Sequence, residues 1–270
     1  MNPDGNLPIG IFDSGIGGLT VARAVSNLLP RESIIYFGDT ARVPYGSKSA
    51  TTINSFARQN TRFLIGRKVK LIIVACNTAS AVALPDLERE FDIPIIGVIQ
   101  PGARAAATST GSGSIAVIGT RATIDSHSYR EAITAKLEEA RVLEIASPLL
   151  VPLVEEGWLD HQVTRTILAE YLGRITDRET DTLVLGCTHY PLLASAIKEV
   201  LPDGINIVDS ARETAAEVAT HLDRTSTAAQ RGSPGHQFFV SDLPQRFREM
   251  GKQFFGGDLD GVERIDIEEF

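Results

Sequence analysis

The chain of 270 residues contains two cysteines, and both lie in similar local sequences. Cys76 follows the apolar run LIIVA and Cys187 follows TLVLG, with a threonine within two residues of each. A thiol near the start of a helix or beside a cationic histidine loses its proton more readily than a free thiol. One cysteine alone is more often a buried packing residue, but a matched pair with polar neighbours favours proton-transfer chemistry.

Polar residues that can assist a thiol lie near both cysteines. His189 can act as the acid/base partner of Cys187; alternatively it only bonds to the backbone at a helix start. Asp13 ends the first apolar run in FDSGIGG, where it can assist Cys76 or simply cap the next helix. The residues that directly follow the cysteines can cap a helix while the free amides there bind an anion such as a carboxylate; they include Asn77, Thr78 and Thr188.

Three other segments carry polar residues. FDSGIGGLT fits the start of a dinucleotide-binding G-x-G-x-x-G motif, but Thr20 stands in place of the last glycine, so that interpretation is weak. GDTARVPYGSKS (38–49) is predicted to be a loop at a strand end. LVPLVEEGW (150–158) places Glu155 and Glu156 before a predicted helix, where a carboxylate can stabilise the helix start.

The order of apolar runs predicts an α/β fold. Short apolar runs alternate with segments of helical period, which is typical of a mostly parallel sheet flanked by helices. The predicted strands are 8–12, 33–37, 69–75, 94–98, 114–119, 141–146, 181–186 and 206–209. The predicted helices are 19–29, 51–65, 83–91, 125–140 and 164–175, with a further strand at 236–242 and a helix at 243–255.

The two cysteine segments indicate an internal repeat. With the cysteines aligned, PIIGVI (94–99) lies opposite INIVDS (205–210) without a gap. Upstream, IGIFDSG (9–15) lies opposite IAVIGTR (115–121) after a shift of register. We therefore predict two similar lobes, about 1–98 and 99–210, joined through turns near 101–113.

Composition and charge exclude several classes of protein. The net charge is −8 and we find no cluster of Lys and Arg, which argues against nucleic-acid binding. We find no secretory signal and no apolar run near the roughly 20 residues that a bilayer requires, so we expect a cytoplasmic protein without a membrane partner. The thiols should stay reduced there, and the spacing of Cys and His does not favour zinc or another metal.

Two thiols that face each other across a cleft suit one reaction in particular. One thiol can remove a proton from one face of a carbon while the other delivers a proton to the opposite face. This is two-base racemisation, a form of general acid–base catalysis. A repeated, pseudo-symmetric protein suits a substrate and product that are mirror images.

Five motifs together resemble those of the bacterial glutamate racemases. They are FDSGIGGLTV, YFGDTARVPYGSKS, ACNTASA, LVPLVEEG and LGCTHYPLL, in this order, and the resemblance runs from about residue 8 into the tail. It implies an enzyme without cofactor or metal that interconverts L- and D-glutamate and supplies D-glutamate for peptidoglycan. It also implies that 211–270 completes the first lobe with 1–98, that the site lies in the cleft, and, because the family often forms dimers, a homodimer.

The resemblance assigns roles to individual residues. Cys187 would take the proton from L-glutamate and Cys76 from D-glutamate. Asp13 would assist Cys76, while His189 and Glu155 would act on the Cys187 side. The residues implied to contact the substrate are Asp13, Ser14, Tyr45, Gly46, Asn77, Thr78, Thr120, Thr123, Thr188 and His189.

Two other hypotheses remain open from the sequence. The first keeps the fold and changes the substrate, since related enzymes act on aspartate, hydantoins or arylmalonates, some of them as decarboxylases with one cysteine. The second is a binding protein for an amino acid with no catalytic activity. The presence of both thiols favours racemisation, and the segment VIQPGARAA (98–106) is where the chain departs from part of the family.

Overall fold

The structure is a computed structural model that describes residues 3–175, 179–230 and 234–270. Within these ranges the strands are β1 (Ile9–Asp13), β2 (Ile34–Gly38), β3 (Leu71–Val74), β4 (Ile95–Gly97), β5 (Ser114–Gly119), β6 (Arg141–Ala146), β7 (Thr182–Gly186), β8 (Asn206–Asp209), β9 (Gln237–Val240) and β10 (Glu263–Arg264). The α-helices are α1 (Leu19–Leu28), α2 (Ala50–Gly66), α3 (Asn77–Val82), α4 (Leu84–Glu90), α5 (Ile99–Ser109), α6 (Arg121–Asp125), α7 (Ser128–Thr134), α8 (Leu150–Glu155), α9 (Gln162–Leu172), α10 (Ala194–Val200), α11 (Ser210–Thr225) and α12 (Pro244–Phe255).

The strands form two sheets, and all of their described pairings are parallel. The first sheet has the order β10-β9-β2-β1-β3-β4, and the second has the order β6-β5-β7-β8. The order β2-β1-β3-β4 therefore recurs as β6-β5-β7-β8, so the predicted α/β fold and its internal repeat are confirmed. In this repeat the strand before Cys76, β3, is equivalent to the strand before Cys187, β7.

The central strands are apolar because helices cover both faces of each sheet. Strands β1, β2, β3, β5 and β7 are buried at every position, as expected for parallel sheets of this kind. Each fully buried Val, Ile, Leu or Phe contributes about 1.5–3 kcal/mol relative to an exposed one. A long apolar run without alternation is thus the sequence signal of these strands.

Helix α11 connects the two sheets. It packs against α1, which follows the first strand of the first sheet, and against α5, which precedes the first strand of the second sheet. The strands of the first sheet come from 9–97 and 237–264, and those of the second from 114–209. The lobes that we predicted, 1–98 with 211–270 and 99–210, stay a prediction that this distribution of strands supports.

The structure differs from the prediction in two segments, and each of them forms a helix that contains a proline. The predicted turn region 101–113 is largely helical, because α5 includes Pro101 and Gly102, and Glu155 is the last residue of α8 instead of a helix-start carboxylate. Pro101 and Pro152 each occupy the third position of their helix, where the backbone amide has no partner within the helix and proline is tolerated. The prediction of a turn is therefore wrong for the part of 101–113 that belongs to α5.

A single helix was predicted at 125–140, but the helix found there, α7, covers only Ser128–Thr134. A separate helix, α6, ends at Asp125. Helices α6 and α7 are interrupted at His127, which has φ of 54° in the left-handed region. The Ser126 hydroxyl accepts a hydrogen bond from the backbone amide of Ser128 across this interruption.

The tail after α11 returns to the first sheet. As predicted, the segment 236–242 contains a strand, β9, which pairs with β2, and 243–255 contains the helix α12, which packs on α1 and β9. Of the connection predicted at 225–235, residues 231–233 lie outside the described residues. No helix in the described ranges is both long and apolar enough to cross a bilayer.

Candidate active site

A cavity of about 230 Å³ lies where the carboxyl ends of strands from both sheets meet. Ser14 lines it just beyond β1, Cys76 beyond β3, Thr120 beyond β5 and Cys187 beyond β7. Ligands of parallel α/β sheets bind at such strand ends. The two thiols therefore share one cavity, in equivalent places of the two repeats, and both are nearly buried, at 6% and 5% exposed.

The structure brings most of the predicted residues into the cavity wall. Those that line it are Ser14, Tyr45, Gly46, Asn77, Thr78, Thr120, Thr188 and His189, together with the cysteines. Three predicted residues do not line the cavity but interact with residues that do. Glu155 bonds to His189, Thr123 bonds to Thr78 and Thr120, and the charge of Asp13 acts on Cys76.

On one side of the cavity, Cys187, His189 and Glu155 form a chain of contacts. The sulfur of Cys187 lies 3.9 Å from Nδ1 of His189, and Nε2 of the same ring lies 3.1 Å from Oε1 of Glu155. His189 follows Cys187 by two residues, whereas Glu155 comes from the end of α8, far away in sequence. The carboxylate thus fixes the ring orientation and supports a positive charge on it.

Electrostatics on this side favour an imidazolium. Burial by itself lowers the pKa of His189, but the hydrogen bonds and charges of Cys187 and Glu155 outweigh it and raise that pKa to about 10. The hydrogen bond to His189 is also the main reason that the pKa of Glu155 lies below its usual value. The cationic ring places a positive charge within 3.9 Å of the sulfur of Cys187.

On the other side, the Cys76 thiol is held in its protonated form. Its sulfur lies 3.6 Å from the hydroxyl of Ser14. Burial, together with the negative charge of Asp13, raises the pKa of Cys76 to about 12. One side of the cavity therefore carries a cation beside Cys187, and the other side carries a protonated thiol at Cys76.

Asp13 is a buried carboxyl group with one free oxygen. Its Oδ2 accepts a hydrogen bond from the amide of Gly15 at 2.9 Å, whereas Oδ1 has no hydrogen-bond partner among the described residues. Burial raises the pKa of Asp13, although the charge of His189 and the amides of Gly15 and Gly18 oppose this. The group can accept a proton more readily than an exposed aspartate.

A cluster of three hydroxyl groups joins the two sheets at the cavity. The Oγ1 atoms of Thr78 and Thr120 are 2.9 Å apart, and Thr123 lies 3.3 Å from Thr78 and 2.9 Å from Thr120. Thr78 belongs to the first repeat, and the other two threonines belong to the second. Because each hydroxyl can donate or accept, the cluster can adapt to a carboxylate in the cavity.

Asn77 offers an unused donor at the same place. Its Oδ1 accepts a hydrogen bond of 2.7 Å from the hydroxyl of Tyr129, a residue of α7. Its Nδ2 is buried and has no partner among the described residues. An unpaired buried amide costs stability, and a bound carboxylate would satisfy it.

Glycine is required at one position beside the catalytic candidates. A Cβ atom on Gly17 would lie 2.2 Å from Oγ1 of Thr188 and 2.4 Å from Nδ1 of His189. The glycines of FDSGIGGLT thus allow a close approach of the backbone to the site. This explains the motif without a dinucleotide.

Some lining residues were not predicted from the sequence. They are Pro44, Ser47, Arg121, Pro148, Val151 and Pro152. Arg121 lies between the predicted residues Thr120 and Thr123 in GTRAT. Its position next to Thr120 was the only sequence feature that could have indicated a place in the cavity wall. It brings a positive charge to the cavity wall, which suits an anionic ligand.

Residues 19–218 match the family model of the Asp/Glu/hydantoin racemases. Among curated proteins, the glutamate racemase of Syntrophus aciditrophicus is 51% identical over 261 residues, which are 96% of this chain and 97% of the relative.

Solved structures of glutamate racemases also resemble this chain along nearly its whole length. A glutamate racemase from Bacillus anthracis matches with a TM-score of 0.93 and 40% identity over 96% of this chain and 97% of its own. The glutamate racemase of Francisella tularensis, solved in complex with D-glutamate, matches with a TM-score of 0.93 and 36% identity over 98% of this chain and 100% of its own.

Proposed function

The chain belongs to the Asp/Glu/hydantoin racemase family, and from that premise we propose that it interconverts L- and D-glutamate through its two thiols. The observation that carries this proposal is that Cys76 and Cys187 line one cavity from equivalent strand ends. The relatives that match along nearly the whole chain are glutamate racemases. The D-glutamate formed is a building block of bacterial peptidoglycan, and two thiols suffice as acid and base without a cofactor.

From L- to D-glutamate, Cys187 is the base. The imidazolium of His189 stabilises its thiolate, which accepts the α-proton. Cys76, whose pKa is raised to about 12 and which therefore carries its proton, delivers that proton to the opposite face of the α-carbon. One C–H bond breaks and another forms on the other side, so the configuration is inverted.

From D- to L-glutamate, Cys76 is the base and must first lose its proton. Asp13 accepts that proton, since its buried Oδ1 has no other partner in the described residues and burial raises its pKa. The Cys187 thiol then delivers a proton to the other face. The assisting groups on the two sides differ in kind, a carboxyl group for Cys76 and a His–Glu pair for Cys187.

The α-proton of an amino acid is much less acidic than a thiol, so the site must stabilise a carbanion-like transition state. The free Nδ2 of Asn77 and the hydroxyl groups of Thr78 and Thr120 are donors for a carboxylate of the substrate. The backbone amides beyond Ser14 and Thr188 are further candidates. Fixed donors in a cavity that excludes water stabilise developing charge more than water does.

Incubation of each glutamate enantiomer with the protein in deuterated water tests the function. We expect optical rotation to fall to zero from both starting enantiomers while deuterium enters the α-position, because the proton returned to carbon comes from a thiol that exchanges with solvent. Polarimetry and proton NMR follow the two quantities. Aspartate, incubated in parallel, is expected to react much more slowly; unchanged rotation with both glutamate enantiomers would reject the proposed activity.

Replacing Glu155 with glutamine is expected to shift the high-pH loss of activity on L-glutamate to lower pH. Glu155 helps to raise the pKa of His189 to about 10, and the imidazolium exists below that pKa and is lost as pH rises through it. Without the carboxylate the ring loses its proton at a lower pH. The measurement is kcat/KM for L-glutamate against pH.

The neighbouring Glu156 provides a matched control for that experiment. Glu156 is exposed and follows the last residue of α8, so Glu156→Gln should leave the pH profile unchanged. If kcat/KM for L-glutamate falls at the same high pH in Glu155→Gln and Glu156→Gln, Glu155 does not raise the pKa of His189 as proposed.

The location and the oligomeric state stay predictions. We keep a cytoplasmic location and a homodimer as expectations, together with glutamate as the small-molecule substrate. Light scattering on the purified protein measures the mass directly against the 29.1 kDa of one chain.

A further inference from the structure

Asp39 is a buried carboxylate that the proposed mechanism does not use. It follows β2, is 0% exposed, and its backbone amide donates a hydrogen bond of 3.1 Å to the carbonyl oxygen of Asp13. It is not among the residues that line the cavity, whereas Tyr45 and Gly46, six and seven residues later, do line it. A buried charge is costly unless it is paired. The hydrogen-bond partners of the Asp39 carboxylate therefore indicate its role.

Four hydrogen bonds converge on the carboxylate of Asp39. Nε of Arg42 donates to Oδ1 at 3.0 Å and to Oδ2 at 2.7 Å. The hydroxyl of Tyr45 donates a short hydrogen bond to Oδ2, and the hydroxyl of Ser241 donates to Oδ1 at 3.0 Å. The carboxylate therefore joins the loop 39–48 to the segment after β9, which belongs to the tail.

Arg42 is fixed in turn by α2. Its guanidinium donates to the side chains of Gln59 and Asn60 and lies 4.0 Å from the ring centre of Phe56. The arginine side chain is only 11% exposed. The charge pair of Arg42 and Asp39 is therefore an anchored part of the lobe and not a mobile surface contact.

The only proton of the Tyr45 hydroxyl is used within this network. The hydroxyl donates to Asp39 and accepts a hydrogen bond of 3.1 Å from Nδ2 of Asn60, and the residue is 1% exposed. With its one proton given to Asp39, the hydroxyl cannot donate to a ligand. A hydrogen bond from Tyr45 to a substrate carboxylate can then come only from its backbone amide, which lies in the cavity-lining segment with Gly46.

The position of that backbone is narrowly defined. A Cβ on Gly46 would lie 2.8 Å from Cβ of Thr120, which shows how closely the loop approaches the second repeat. A loop in this place needs a rigid support, because a displacement of about 1 Å can cost a large part of the binding or the rate.

We propose that Asp39 is a positioning residue which, through Tyr45, holds the backbone at 45–46 against the substrate, and that Ser241 makes the tail part of this support. This inference rests on the proposed glutamate racemase function. Since both enantiomers carry the same carboxylates, the support serves both directions equally. Asp39 itself does not touch the substrate.

Asp39→Asn tests the proposal. We expect KM to rise about tenfold for both enantiomers, with kcat changed less than about twofold, because a weakened buried hydrogen bond to the loop reduces ground-state and transition-state binding alike. Tyr45→Phe should raise KM similarly. The double variant should be no worse than the poorer single variant, because both changes break the same connection. Ser241→Ala should show a smaller effect of the same kind.

Glu32→Gln is the matched control. Glu32 and Lys70 form another buried ion pair, with 2.6 Å between Oε2 and Nζ and side chains 4% and 3% exposed, and neither residue lines the cavity. This variant should lower the melting temperature but leave KM unchanged. If Asp39→Asn lowers the melting temperature as Glu32→Gln does while its KM stays within twofold of wild type, or if kcat falls at constant KM, the proposal is overturned.

Calorimetric titration with racemic glutamate separates this proposal from the proposed function. Racemisation does not change the composition of a racemic mixture, so the titration reports binding alone. Binding by the wild type that is weakened about tenfold in Asp39→Asn supports the inference; equal binding by both overturns it alone. No binding by the wild type would overturn the proposed function and this inference together.

Discussion

Replacing either Cys76 or Cys187 with alanine is expected to reduce racemisation in both directions by about 10³-fold or more. Each thiol is base for one enantiomer and acid for the other, so the loss of one sulfur removes a step from both directions. The measurement is the rate of change of optical rotation from each pure enantiomer. Both side chains are nearly buried, so circular dichroism must first show that the variants are folded.

Exchange of the α-proton without racemisation sharpens that test. Cys187→Ala retains the Cys76 thiol, so it should exchange the α-proton of D-glutamate with deuterated water, but not that of L-glutamate. Cys76→Ala should show the reverse preference. Proton NMR of each enantiomer measures the exchange directly. Exchange of both enantiomers by one variant, or full racemisation by either, would contradict two-base catalysis.

Gly17→Ala is expected to lower kcat/KM by about 10²-fold or more, although glycine to alanine is a small change. The new Cβ would lie 2.2 Å from Oγ1 of Thr188 and 2.4 Å from Nδ1 of His189. The ring can yield only by disturbing the 3.1 Å hydrogen bond between its other nitrogen and Glu155. The ring is therefore displaced from the sulfur of Cys187, and we expect the larger loss with L-glutamate, whose proton Cys187 removes.

Gly66→Ala is the control for this substitution. Gly66 is the last residue of α2, and a Cβ there would meet no atom within 4 Å. Alanine is favoured over glycine in helices, so this variant should keep full activity and equal or higher stability. A Gly17→Ala variant as active as Gly66→Ala would show that the approach of the backbone to His189 is not needed.

Much of the fold was predictable because its signal is local. The run SIAVIG predicts a strand at 114–119, and β5 has those bounds, since a strand buried on both faces is apolar at every position. The two-residue strand β10 is exposed at both positions and has no such signal. Helix α5 was missed because Pro101 and Gly102 are more typical of a turn; only the packing of Gly102 against Tyr129, at 3.3 Å from an added Cβ, shows why a glycine suits that helix.

The features of the candidate site that are local in sequence were also predictable, whereas contacts between distant residues were not. The sequence by itself determined that Cys76 and Cys187 occupy equivalent corners, because each follows a buried strand, and that His189 lies near Cys187, because two residues separate them. It also determined the polar neighbours Asn77, Thr78 and Thr188. These are relations between residues close together in the chain.

The family resemblance already placed Glu155 on the Cys187 side, but only the tertiary structure shows which atoms of distant residues meet. The contact of Glu155 with His189 joins residues 34 positions apart, and that of Thr78 with Thr120 joins the two repeats. It also decided that the hydroxyl of Tyr45 donates to Asp39, which is not among the residues that line the cavity. Apolar periodicity reports which face of a strand or helix is buried, but not how two sheets are oriented to each other. That orientation, in which α11 packs against both α1 and α5, brings both thiols to one cavity.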